Sequence, residues 1–171
     1  AGNVSGHSSI VTATPQTLPD ATAPTAPAGL AATAVSATQI NLTWNASTDN
    51  VGVTGYQIDR CQGTGCTTFA QIATSSVTSF SDTGVAPSTT YRYRVRATDA
   101  AGNISANSSI VTATAVPDTT LPTAPTGLVA TAVSATQINL TWNASTDNVG
   151  VTGYRVFRCT GTTCTPSTQI A

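Results

Sequence analysis

The chain has 171 residues, a net charge of −1 at pH 7 and only 8% charged residues, with no lysine, glutamate or methionine. So few charges form neither a basic surface for nucleic acid nor an acidic tail, which argues against a nucleic-acid partner. The apolar runs are far shorter than the ~18 residues of a membrane-spanning helix, so no membrane span is predicted. Abundant Thr, Val and Ser favour extended strands, and the chain is predicted to be all β.

A long internal repeat organises the chain. Residues 24–56 match residues 122–154 at 31 of 33 positions, and residues 1–14 match residues 101–114 at 11 of 14. We therefore divide the chain into the last strand of a preceding repeat (1–14), a linker (15–23), a complete repeat (24–114), a second linker (115–121) and the first half of a following repeat (122–171). The linkers are rich in Pro and Thr, which predicts stiff, extended spacers.

The two incomplete repeats predict a working unit larger than these residues. Half a sandwich leaves its apolar face wet and its strand edges open. If subunits joined head to tail, the N-terminal fragment would donate only one strand to the C-terminal fragment, and two strands would still be missing. We therefore expect the chain to be part of a longer repeat polypeptide. Any targeting signal is expected to lie outside these 171 residues.

Within the complete repeat, apolar and polar residues alternate with the period of two that is typical of half-buried strands. Strands are predicted, in chain order, at residues 28–35, 40–44, 56–59, 68–73, 77–82, 91–97 and 106–114. Seven short strands with one Trp and a few Tyr as large core residues predict a two-sheet β-sandwich of the immunoglobulin-like kind.

Several motifs then carry a family resemblance. They are Pro27-x-x-Leu30, the Ile-x-Leu-x-Trp strand that ends at Trp44, Gly55-Tyr56, and Val85 six residues before Tyr91. Together they resemble bacterial fibronectin type III domains. The resemblance implies core positions for Trp44 and Tyr56 and a tyrosine corner at Tyr91, whose hydroxyl bonds nearby backbone. It implies the same core roles for Trp142 and Tyr154 in the following repeat.

The four cysteines form two C-x4-C pairs, Cys61 with Cys66 and Cys159 with Cys164. Each pair spans a Gly-containing stretch between two predicted strands, which favours a local hairpin disulfide. An even count in such a chain indicates an oxidising, extracellular or cell-surface setting. A zinc site lacks two further ligands nearby, and haem attachment lacks its C-x-x-C-H motif, so no cofactor is predicted.

The sequence shows no clear nucleophile, acid/base pair or metal-ligating cluster for catalysis, and we predict that the chain is not an enzyme. The one histidine, His7, corresponds to Asn107 in the complete repeat, so the repeat does not require it. A surface turn is the simpler interpretation of that residue.

Acidic and amide side chains are expected to converge at one pole of the sandwich. Asp49 with Asn50, and Asp99 with Asn103, occupy two turns that lie near Asp20 of the incoming linker. Such a group of oxygens suits Ca²⁺. The alternative is that these side chains cap their own turns.

A second candidate surface is an outward row of Arg92, Arg94 and Arg96, with Asp59 on a neighbouring strand. Cross-strand ion pairing is the ordinary interpretation. A sugar-binding or partner-binding face is the alternative, since Asp59 corresponds to an aromatic residue, Phe157, in the following repeat.

Near-identity between copies favours a role set by length and stiffness. We therefore predict a structural spacer or filament-forming array in a secreted or cell-surface protein, whose partners are its neighbouring repeats or other copies in a fibre. The alternative is an accessory module of a secreted multidomain enzyme that binds polysaccharide or protein. This alternative follows from the resemblance, because similar bacterial domains accompany carbohydrate-degrading enzymes.

Overall fold

The structure is a computed structural model that describes residues 1–13, 16 and 18–171. Its strands are β1 (Ala28–Ser36), β2 (Gln39–Asn45), β3 (Val53–Gln62), β4 (Ala70–Ser75), β5 (Ser79–Asp82), β6 (Thr90–Asp99), β7 (Val111–Thr114), β8 (Thr126–Ser134), β9 (Gln137–Asn143), β10 (Phe157–Arg158) and β11 (Thr168–Gln169). Within the described part of the chain, no helix has the length and apolar character needed to cross a membrane.

Strands β1 to β7 form two antiparallel sheets that pack face to face. One sheet has the order β1-β2-β5 and the other the order β4-β3-β6-β7. Alternate side chains of β2, β3 and β6 point into the space between the sheets, where Ile40, Leu42, Ile58, Tyr93 and Val95 are fully buried. The predicted all-β sandwich is confirmed, and we call residues 28–114 the sandwich.

Aromatic residues close both ends of this core. The Trp44 and Tyr56 rings meet edge to face with their centroids 5.3 Å apart, and both side chains are buried. The Tyr56 hydroxyl accepts a hydrogen bond from the Ser47 amide. At the other end, the buried Tyr91 hydroxyl accepts a bond of 3.0 Å from the Ala86 amide, which is the tyrosine-corner contact.

A glycine allows the first strand to follow its neighbour. The β1–β2 register shifts between Ala28 and Ala31, and Gly29 lies there with φ +64°. A Cβ at this position would lie 2.8 Å from the side-chain amide nitrogen of Asn45. Glycine suits this position chiefly through its left-handed backbone angle, because the flexible Asn45 side chain would shift to make room for a Cβ.

The last strand is shorter than its alternating pattern predicts. Residues 106–110 run beside β6 without a regular ladder, because serine hydroxyls replace backbone acceptors. The amides of Val95 and Ala97 donate to the hydroxyls of Ser108 and Ser105. Strands β4 and β5 begin two residues later than predicted, at Ala70 and Ser79.

Residues 122–171 reproduce the start of the sandwich. Strands β8 and β9 pair in the register of β1 and β2, and the Trp142 and Tyr154 rings again meet edge to face at 5.3 Å. The apolar face of β8 and β9 is exposed to solvent, however. Ile138 is 64% exposed, whereas its counterpart Ile40 is 0% exposed.

Residues 1–13 contain no strand and are exposed along their whole length. Val4, Ile10 and Val11 are each at least 87% exposed. Their counterparts around β7 are held by pairing with β6, and no described strand offers residues 1–13 that pairing. His7 lies in this exposed segment.

Candidate functional site

Three carboxylates from separate parts of the chain meet at one pole of the sandwich. Asp20 lies in the incoming linker, Asp49 in the turn between β2 and β3, and Asp99 at the end of β6. One carboxylate oxygen from each lies within 4.8 Å of those of the other two. We call these three residues the acidic pole.

All three carboxylates also accept backbone amides of their own turns, and Asp20 Oδ1 does so from Thr22 at 3.0 Å. One oxygen of Asp49, Oδ2, accepts the amides of Val51 and Gly52 at 2.9 Å. Asp99 accepts the amide of Asn103 at 2.8 Å on Oδ1 and the side-chain amide of Asn103 at 2.7 Å on Oδ2. Turn capping, which the sequence analysis gives as the alternative to a Ca²⁺ site, therefore occurs together with the convergence of the carboxylates.

Two asparagines fasten the linker to this pole. The Asn50 side chain donates to Asp20 Oδ1 at 3.1 Å. The Asn103 side chain donates to the backbone carbonyls of Asp20 and Thr22 at 3.3 and 3.2 Å. The linker is thus bound to both turns before the first strand begins.

The acidic pole contains polar atoms without partners. Asp20 Oδ2 and Asp49 Oδ1 are buried and accept no hydrogen bond. Asp99 is only 6% exposed. Burial opposes its ionisation, but bonds from Asn103 and from the amides after the strand outweigh burial and hold the pKa of Asp99 below its usual value. The carboxyl is therefore charged at neutral pH.

The second junction repeats part of this arrangement. The Asn148 side chain donates to Asp118 Oδ1 at 3.2 Å, as Asn50 does to Asp20. Asp147 caps its turn through the amides of Gly150 and Val149, which lower the pKa of its carboxyl, and its Oδ2 is buried without a partner. The chain contains no counterpart of Asp99 for this junction.

Further backbone contacts hold both linkers against folded parts of the chain. The Thr25 amide donates to the Thr48 carbonyl at 2.9 Å, and Thr123 makes the same bond to Thr146. After β7, Ala115 is buried at 1% exposure and the Val116 amide donates to a carbonyl of β1. The predicted linkers are therefore docked where they meet the strands.

The outer face of the four-stranded sheet carries the arginine row. Asp59 lies opposite Arg94 and pairs with it at 2.9 Å, and Arg96 approaches the same oxygen at 3.6 Å. Asp59 is only 2% exposed, because the arginines cover it and Phe69 stacks on the Arg94 guanidinium at 4.5 Å. The row is thus partly buried rather than freely exposed, and its ion pairs lie on the sheet.

One of the two disulfides, Cys61–Cys66, lies on the same outer face. Cys61 is bonded to Cys66, and Cys159 to Cys164. Among the described residues there is no free cysteine. The Cys66 carbonyl accepts a hydrogen bond from Arg92, so the bridged hairpin covers the end of the arginine row.

Sequence reasoning did not single out one polar cluster. Arg60 reaches from β3 across the sandwich and donates to both oxygens of Asp82 at 3.0 and 2.8 Å. The buried Tyr93 hydroxyl donates to Asp82 at 2.9 Å. Alternation along β3 places Arg60 on the same face as Ile58, and an arginine on a core face needs an acidic partner. That signal in the sequence is enough to predict the pair.

Comparisons with known proteins match this fold to a family and to several enzymes. The family described as "Fibronectin type III domain" matches residues 25–114. Exoglucanase B of Cellulomonas fimi is 46% identical over 180 residues, which cover 100% of this chain and 16% of that protein. Chitinase A1 of Niallia circulans is 48% identical over 140 residues, covering 75% of this chain and 19% of that protein.

A solved structure also matches this chain over a small part of a longer enzyme. A chitinase from Bacillus thuringiensis superimposes with a TM-score of 0.50 at 30% identity, covering 60% of this chain and 15% of that protein. The chain thus spans less than a fifth of the length of each of these three relatives. The similarity is to one part of much longer proteins.

Proposed function

The chain belongs to the fibronectin type III family and is a non-catalytic module, and we propose that it connects the domains of a secreted, multidomain polysaccharide-degrading enzyme. The observation that carries the proposal is the identity with exoglucanase and chitinase sequences over most or all of the chain. Of the two functions predicted from the sequence, this favours the accessory module over the filament-forming array.

The docked linkers support a connecting role. A single proline lies between Val116, which makes the last contact with the sandwich, and Asp118, which makes the first contact with residues 122–171, at the turn after β9. A further hydrogen bond, from the Thr123 amide to the Thr146 carbonyl, holds the end of the linker. Because so little of the linker is free, the neighbours of the module are held at a short and restricted spacing.

We also propose that residues 122–171 are the first half of a following repeat and residues 1–14 the last strand of a preceding one. The repeated β8–β9 register and the repeated Trp142–Tyr154 contact support the first assignment. Burial of the wet face around Ile138 would follow when the remaining strands are present, as it does for Ile40. The module would then be one member of a series.

An extracellular location is part of the proposal. Two disulfides without a free thiol among the described residues are stable in an oxidising compartment. The relatives named exoglucanase and chitinase support this location, because their names give polysaccharides as their substrates.

The connecting role can be tested by substitution for a flexible linker. The chain is placed between a glucanase catalytic domain and a cellulose-binding domain, and a Gly/Ser linker of equal residue number serves as the control. We expect equal rates on soluble substrate and about twofold or greater release from insoluble cellulose with the chain, because fixed spacing keeps both domains engaged. Equal rates on cellulose would contradict the proposal.

Direct polysaccharide binding is the second candidate. The observation that favours it is an aromatic residue in each copy that solvent can reach: Phe69, which stacks on Arg94, and Phe157, the counterpart of Asp59, which is 47% exposed. Retention of the chain on chitin or cellulose that is lost in Phe69→Ala and Phe157→Ala would establish it. If the wild-type chain and the variants all pass through chitin and cellulose without retention, direct binding is excluded and the connecting role remains the proposed function.

A further inference from the structure

The acidic pole has the composition of a cation site. Three carboxylates approach within 4.8 Å, and among the described residues no arginine forms an ion pair with any of them. Like charges this close repel one another unless a positive charge lies between them. The geometry therefore calls for a cation that the chain itself does not supply.

Two carboxylate oxygens of the acidic pole have no hydrogen-bond partner. Asp20 and Asp49 each use one oxygen to cap a turn or accept from Asn50, and each leaves its other oxygen buried and without a hydrogen bond. A buried carboxylate oxygen without a partner is costly. Metal coordination would satisfy both atoms at once, and the second junction shows the same orphaned oxygen on Asp147.

The ligand chemistry selects calcium. Calcium takes six to eight oxygens from carboxylates, carbonyls and water at about 2.3–2.6 Å, so two oxygens on one ion lie at most about 5 Å apart. The spacing of the acidic pole falls within that limit. Magnesium demands a smaller, regular octahedron, which carboxylates from three separate segments do not favour.

We propose that Asp20, Asp49 and Asp99 bind a Ca²⁺ ion that fastens the incoming linker to the sandwich. The ion would join two turns of the sandwich to the segment before it. Calcium would thereby stiffen the connection between consecutive modules. The site lies within this chain and goes beyond the proposed connecting role, and its test does not depend on which enzyme the module serves.

The site is tested by calorimetric titration of the full chain, freed of metal with a chelator, with CaCl₂ and separately with MgCl₂. We expect one calcium per chain with a dissociation constant of about 10⁻³ M or tighter, in the range of extracellular modules, and magnesium about tenfold weaker or more. No heat of binding with CaCl₂ up to about ten times that concentration would overturn the proposal. Magnesium that binds as tightly as calcium would contradict the choice of ion.

Variants separate the site from general charge effects. Asp20→Asn changes a linker residue outside the strands and should weaken calcium binding about tenfold or more. The matched control is Asp118→Asn, the same change at the junction without a third carboxylate, which should leave the affinity unchanged. Equal weakening by both variants would contradict a site at the acidic pole.

Thermal unfolding gives a second test, in which the order of the melting temperatures of the wild-type chain and Asp20→Asn is compared with and without calcium. In chelator, Asp20→Asn removes one of three like charges and should melt at the same temperature as the wild-type chain or higher. In excess calcium the order should reverse, because only the wild-type chain gains the full binding energy. The same order in both solutions would mean that the cluster binds nothing, and would overturn the proposal.

Discussion

Replacing Asp82 with alanine should destabilise the sandwich by about 3 kcal/mol, because this carboxylate is a polar link between its two sheets. Asp82 is 4% exposed at the end of β5. It accepts hydrogen bonds from Arg60 on β3 and from Tyr93 on β6, and a third from the Gly84 amide at 3.0 Å. Alanine removes all three acceptor contacts.

The magnitude follows from what is left behind. The Tyr93 hydroxyl, on a fully buried residue, loses its acceptor, which costs about 1–3 kcal/mol. Breaking a buried ion pair from one side costs about 3–5 kcal/mol, but the Arg60 side chain is 24% exposed and can be rehydrated, which lowers the total. Tyr93→Phe removes only one of these bonds and should cost about 1 kcal/mol.

The assay is urea unfolding followed by the fluorescence of Trp44 in a Trp142→Phe background, so that one buried tryptophan reports on the sandwich alone. For a domain of this size, a loss of 3 kcal/mol lowers the melting temperature by roughly 12–24 °C. A loss below about 1 kcal/mol for Asp82→Ala would refute the linking role.

Three further outcomes are expected. Replacing both Cys61 and Cys66 with serine should lower the free energy of unfolding by about 2 kcal/mol, because the disulfide closes a short loop. Dithiothreitol should cause the same loss in the wild-type chain and no loss in the variant. Burial, followed by the hydrogen bond to Asp82, raises the pKa of Tyr93, so stability should hold below pH 10 and fall as the pH rises further; Tyr93→Phe should fall less steeply. Acrylamide should quench Trp142 more than Trp44 in single-tryptophan variants, and appending a copy of the second half of the sandwich should remove the difference; unequal quenching afterwards would contradict the assignment of a following repeat.

Much of the fold follows from alternation in the sequence. The pattern of Tyr91 to Ala97 predicts which face of β6 is buried, and the structure buries Tyr91, Tyr93, Val95 and Ala97. Alternation fails where side chains replace the backbone ladder. Ser105 and Ser108 take the place of backbone acceptors beside β6, and no periodicity in the sequence signals that exchange.

The candidate site is partly visible in the sequence. The turn positions of Asp49 and Asp99 predict that both lie at one pole, near Asp20, and the structure brings the oxygens of all three together. The reach of Asn103 to the carbonyls of the linker depends on side-chain geometry across the pole, which sequence spacing does not encode. The sequence pattern does not predict the burial of Asp59, because that burial depends on Arg94 and Arg96 lying over the carboxylate and on Phe69, from another segment, stacking on Arg94.

Docked linkers are the physical basis of the proposed connecting role, and amide order parameters from ¹⁵N relaxation test them most directly. With β6 as the rigid reference at about 0.85, the amides of Thr22, Thr25, Ala115 and Val116 should have values close to that reference. Values below about 0.6 at these residues, with β6 still rigid, would show a flexible tether and contradict a module that holds its neighbours at a fixed spacing.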